Sequence, residues 1–102
     1  MDTVLLTVLL FKARKVLRIT SFAFDDEIKD ILQAGYYELT TRGVMMVFDE
    51  DGRLHPLIVR ALMTYVRLHF GEPDNPERLR AAYENQLGQL MTTSGFTNWG
   101  EH

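Results

Sequence analysis

The residues from Pro56 to Phe70 constrain the fold more than any others. A helix drawn through them carries Leu57, Ile58, Ala61, Leu62, Tyr65, Val66, Leu68 and Phe70 over more than half of its surface. A helix with one apolar stripe can lie on the outside of a domain, whereas one that is apolar on most sides must be covered on most sides. Pro56 suits the first helical position, where its missing N–H is no loss. Gly71, with Pro73 beyond it, stops the helix. A chain built around this segment needs other helices to wrap it, and the remaining sequence supplies three.

The first runs over Val4 to Arg18. Asp2 or Thr3 can cap it, and Lys12, Arg14, Lys15 and Arg18 suit the negative end of its dipole. Its opening turns, Val4 to Phe11, are apolar nearly all round. The second begins at Phe24-Asp25-Asp26-Glu27-Ile28, with Asp25 as its expected N-cap. Ile28, Ile31, Leu32, Tyr36 and Leu39 follow at three- and four-residue spacing, and Gly43 suits a left-handed C-terminal cap. The fourth starts at Asn75-Pro76-Glu77 and aligns Leu79, Tyr83, Leu87, Leu90 and Met91 on one face. Gly88 predicts fraying near its end.

Two stretches break this pattern. Residues 44–54 hold Val44-Met45-Met46-Val47-Phe48 and the turn Asp49-Glu50-Asp51-Gly52, which predicts an extended loop; Arg53-Leu54 makes a poor return strand. Residues 95–102 carry Phe96 and Trp99 with nothing periodic around them. The expectation is an all-α fold: a small four-helix bundle over residues 1–94, an extended loop between helices 2 and 3, and a flexible C-terminal tail over 95–102.

With 102 residues the chain builds one modest core. Its 46% hydrophobic content excludes a disordered chain, and a net charge of -3 is not that of a nucleic-acid clamp. The charge falls in blocks: +3 over residues 1–24, -6 over 25–52, +3 over 53–70 and -3 over 71–102. Such blocks can pair within one fold or between identical subunits. The chain has no cysteine, which removes disulfides, thiolate metal sites and cysteine nucleophiles. The apolar run from Val4 to Phe11 follows Asp2 rather than a positive charge, so it does not read as a signal peptide. It is also shorter than a membrane span. It reads as a core helix, with a membrane-surface helix as the lesser alternative.

No catalytic constellation emerges. His55, His69 and His102 offer no i, i+4 pair for a helical zinc site. Asp49, Asp51 and Gly52 resemble a fragment of a calcium loop, but the first ligand would be Val47 and the twelfth Ile58. Asp25, Asp26 and Glu27 are consecutive, so a helix points them in different directions and makes no dyad. The glycines are isolated and form no phosphate loop. The expectation is therefore no enzyme, no cofactor and no metal. The third and fourth segments are spaced like a helix-turn-helix, with Arg78, Arg80 and Asn85 as readout residues, but Glu77 and Glu84 oppose that use. A small helical DNA-binding regulator stays as the alternative reading. Met45, Met46, Phe48, Phe96 and Trp99 are apolar and lie outside any helical stripe. They either fold back on the bundle or dock on a partner.

Three stretches carry a family resemblance: Val16-Leu17-Arg18-Ile19-Thr20 with Phe24-Asp25-Asp26-Glu27-Ile28; His55-Pro56-Leu57-Ile58-Val59-Arg60-Ala61; and Tyr65-Val66-Arg67-Leu68-His69-Phe70-Gly71-Glu72-Pro73. The last continues through Glu77-Arg78-Leu79 and Tyr83 to Gly95-Phe96-Thr97-Asn98-Trp99-Gly100. In these the chain resembles the head-to-tail connector (adaptor) proteins of tailed bacteriophages. The resemblance implies a helical subunit of the virion, assembled in the host cytoplasm into a ring, typically a dodecamer, under the portal protein. Such a ring extends the DNA channel, lets DNA pass without specific recognition, and docks the stopper protein or tail. It involves no membrane. The resemblance assigns Phe96 and Trp99 to the portal contact and Met45, Met46 and Phe48 to the stopper side. The apolar start, Val4 to Phe11, is less typical of the family, and its packing within the bundle or against a neighbour stays open.

Overall fold

The computed structural model describes residues 1–92 and Phe96. Four helices follow one another: α1 (Thr3–Leu17), α2 (Asp25–Thr41), α3 (Pro56–His69) and α4 (Pro76–Thr92). The all-α bundle expected from the sequence is the fold observed.

α3 is its centre. Ile58, Ala61, Leu62 and Val66 are wholly buried, and α3 packs against α1, α2 and α4. Burying an aliphatic side chain of this kind contributes about 1.5–3 kcal/mol each, so this helix supplies much of the driving force for collapse. α1 adds Leu9, Leu10 and Ala13, α2 adds Ile28, Leu32 and Leu39, and α4 adds Tyr83, Leu87 and Leu90. α1 and α2 also pack on each other, but α1 and α4 make no extensive contact. α2 and α4 likewise make no extensive contact, so α4 packs extensively on α3 alone and leaves a gap between itself and α1. The one buried polar side chain among the described residues, Thr64, donates to the Arg60 carbonyl one turn earlier at 3.1 Å, so its hydroxyl is satisfied locally.

The helix ends follow their punctuation, with one exception. Asp2 caps α1 by accepting from the Leu5 amide at 2.8 Å. The His55 Nδ1 accepts from the Leu57 amide at 3.1 Å, and Asn75 accepts from the Arg78 amide at 3.2 Å. α2 closes with paired bonds, Gly43 N–H to Thr40 O and Val44 N–H to Leu39 O, both at 3.0 Å, with Gly43 at φ 101°. Leu39 and Val44 are both buried, which adds the apolar contact that accompanies this motif. α4 continues four residues past Gly88. The exception is Asp25. Phe24 occupies the N-cap of α2 and offers no side-chain bond, while Asp25 is the first helical residue. Its carboxylate is engaged by Arg14 of α1 instead.

The loop before α3 is tighter than expected. Phe48 and Leu54 form a single antiparallel bridge. The Asp49 amide donates to the Arg53 carbonyl at 2.9 Å, and His55 N–H donates to Val47 O at 2.8 Å. Asp49 Oδ1 accepts from the Asp51 and Arg53 amides, which pins the turn, and Gly52 supplies the left-handed residue at φ 78°. The return strand is as short as the sequence suggests: one bridge, no ladder.

Phe96 corrects the expected boundary at residue 94. It is 8% exposed and belongs to the core, its ring meeting that of His55 edge to face with centroids 4.7 Å apart. Its carbonyl accepts from the Met45 amide at 2.6 Å. Of the two readings open for Phe96, the structure gives the fold-back onto the bundle. Trp99 lies outside the described residues.

Candidate interaction surfaces

α1 divides its apolar residues between two faces. Leu9, Leu10 and Ala13 point into the core, with Leu5, Leu6 and Leu17 partly buried beside them. Val4, Val8 and Phe11, spaced four and three apart, form a stripe on the opposite side and are 75%, 48% and 57% exposed. Lys15 extends the stripe with its ammonium 4.8 Å from the centre of the Phe11 ring. The N-terminal run thus packs within the bundle through one face and leaves the other for solvent or a neighbour. No described helix is long and apolar enough to cross a membrane.

The residues assigned to the stopper side do not share one environment. Met45 and Phe48 are exposed, whereas Met46 is partly buried against the core. The hairpin around Asp49 therefore presents Phe48 beside three exposed carboxylates, those of Asp49, Glu50 and Asp51. None of the three forms an ion pair among the described residues.

The connection from α1 to α2 is held by Arg14. Its guanidinium donates to both oxygens of Asp25 and lies 4.7 Å from the centre of the Phe22 ring. Direct hydrogen bonding from Arg14 holds the Asp25 carboxyl below the ordinary carboxylate range, against a smaller opposing effect of burial. At the other edge the Tyr83 hydroxyl donates to Glu38 Oε2 at 2.9 Å. Burial, and then this bond to a carboxylate, push the Tyr83 hydroxyl well above its ordinary range. Arg42 completes the edge by bridging Glu38 and Glu84. These groups tie α2 to its neighbours. Among the described residues no group of three or more His, Asp or Glu side chains is set to hold a metal ion.

The gap between α1 and α4 forms a groove of about 800 Å³ lined by the end of α1, α3 and the start of α4. Val16, Met63 and Phe70 contribute apolar wall, and Arg60, Arg67 and Arg78 contribute guanidinium groups. None of these three arginines is ion-paired among the described residues. Gln86 lines the same groove with a buried Oε1 that accepts no hydrogen bond. Sequence reasoning did not single out this set. Its traces there are the basic block over residues 53–70, in which Arg60 and Arg67 stand seven apart and hence on one helical face, and Arg78 among the readout residues of the alternative reading.

No family model matches the chain, and no curated protein or solved structure matches it either.

Proposed function

We propose that this chain is a structural head-completion adaptor of a tailed bacteriophage. It assembles as a ring under the portal, extends the DNA channel and gives the stopper or tail its docking surface. The observation that carries the reading is the placement of apolar residues the fold does not use. The core closes without Val4, Val8 and Phe11 on α1, or Met45 and Phe48 before α3, yet all are exposed. A subunit held between neighbours needs such surfaces, and a small solitary domain is disfavoured by them. The family resemblance from Val16 to Gly100 says which neighbours these are. The DNA-binding alternative gains nothing comparable: Arg78, one of its readout residues, faces a groove that also holds Glu72 and Asp74.

The test is cosedimentation with purified portal complexes. The adaptor reading expects the protein to be retained in a saturable ring-sized complement, and Trp99→Ala to weaken retention while helix content by circular dichroism stays constant. Failure of the unmodified protein to be retained overturns the reading. A low-salt gel shift that fades steeply with added salt would support the regulator instead.

A further inference from the structure

We infer that the arginine groove is a receptor for the Phe48–Gly52 hairpin of a second copy of this chain. The inference deepens the ring reading above, and rests on it, by naming the contact between copies.

The chemistry of the two surfaces is complementary. The groove offers three unpaired guanidiniums, an apolar wall and one buried amide oxygen lacking a donor. The hairpin offers three carboxylates outside any ion pair among the described residues and an exposed aromatic ring at Phe48, although Asp49 Oδ1 and the Asp49, Asp51 and Gly52 amides are already engaged within the turn. Carboxylate and guanidinium match in geometry as well as charge. A peptide N–H can satisfy Gln86 Oε1, whose burial without a partner is costly in the free subunit. A phosphate backbone offers no donor to Gln86, whereas a peptide does; Glu72 and Asp74 on the groove rim oppose either anion alike. The groove therefore favours an acidic peptide over nucleic acid.

Location decides the source of that peptide. The hairpin sits beside the start of α1 and the first turn of α3, where Asp49 and Asp51 share a second groove with Val4 and Pro56. The arginine groove runs from Arg60 toward Phe70 and the start of α4. Arg60 lines both grooves and no other residue does, so the hairpin and the Arg67–Arg78 end of the receptor are separate parts of one subunit's surface that adjoin at α3. A contact between unlike faces of identical copies is head-to-tail, and it propagates to a ring or a filament. It also pairs the acidic block before residue 53 with the basic block after it.

The absence of native cysteine permits a clean cross-linking test on the whole chain. Arg53→Cys sits beside the hairpin and Glu72→Cys on the groove rim, and neither removes a proposed contact. The double variant should oxidise to a ladder of multi-chain species, both alone at high concentration and on the portal. Adding Arg67→Glu should reduce the ladder about tenfold, as expected for reversing one charge in a desolvated contact. The control is Arg53→Cys with Gln33→Cys, on the exposed face of α2. A ladder no stronger than the control's in both settings overturns the inference. So does a short DNA duplex that shifts the amide resonances of Arg67 and Arg78 when no ladder forms. Portal retention is read separately: retention without a ladder defeats this contact alone, and a ladder without retention defeats the adaptor reading alone.

Discussion

Arg14 on α1 grips Asp25, the first residue of α2, with two parallel hydrogen bonds, Nε to Oδ1 at 2.9 Å and Nη2 to Oδ2 at 3.0 Å. The pair fixes where the chain re-enters the bundle after the turn at Arg18. Because the folded state lowers the Asp25 pKa, its contribution is fully present above the unfolded value, about 3.9. It is lost as pH falls through the folded value. Asp25→Asn should therefore flatten the acid limb of thermal stability and leave the neutral-pH fold intact. Arg14→Lys should restore little, since a lysine cannot make the two-pronged contact. Melting temperature followed across the acid range checks both; an unchanged acid limb in Asp25→Asn would contradict the pairing.

The Tyr83–Glu38 bond makes the opposite pH prediction. A tyrosine whose pKa is raised by folding stabilises fully below its unfolded value, about 10, and loses that contribution as pH rises through the folded one. Tyr83→Phe should cost about 1 kcal/mol at neutral pH, allowing for the part-exposed carboxylate. It should also weaken the decline in stability above pH of about 10. Urea unfolding at neutral and alkaline pH measures both effects.

Two glycines in helices should respond to alanine with opposite signs. A Cβ on Gly35 would lie 2.8 Å from the Tyr65 ring and 3.2 Å from Leu62, so α2 and α3 approach closely only without it. Gly35→Ala should destabilise by about 1–2 kcal/mol, the overpacking term exceeding the helix-propensity gain. Gly88 has open space around it, and Gly88→Ala should stabilise by about 0.5–1 kcal/mol. Chemical denaturation of the two variants provides the comparison.

The helices were legible because their signals are local. Pro56, Asn75-Pro76 and Gly43 act within a turn of where they stand, and the structure uses each as the sequence suggests. Asp25 was misread because the competing partner, Arg14, lies eleven residues earlier and meets it only through the fold of the intervening turn. α1 was hard to divide for a related reason. Leucine and valine are equally apolar, and only packing against α2 and α3 separates buried Leu9 and Leu10 from exposed Val4 and Val8. Phe96 had no periodicity to reveal its burial. The arginine groove exists because α1 and α4 fail to meet over α3, a property of tertiary arrangement with no local sequence mark.

Phe96 was assigned to the portal by resemblance, and the structure buries it in its own subunit. Phe96→Ala should therefore lower the stability of the free protein by about 3 kcal/mol, the lower end for a core phenylalanine. A stability loss in the absence of portal marks a core role. Unchanged stability with lost portal retention would return Phe96 to the interface.

The α1 stripe should separate assembly from folding. Val8 and Phe11 lie on the face opposite the core, so Val8→Glu with Phe11→Ser removes exposed apolar surface and creates no cavity. Stability should fall by no more than about 1 kcal/mol, the loss of the Lys15–Phe11 contact adding to an otherwise small surface effect. If the stripe is covered in the assembled ring, the same double variant places a carboxylate and a hydroxyl into an apolar contact without partners. Each such group costs about 1–3 kcal/mol, so retention by the portal should fall steeply. Circular dichroism melts paired with portal cosedimentation read the two quantities independently. Normal retention would assign the stripe to solvent and leave the 44–54 loop as the apolar docking surface.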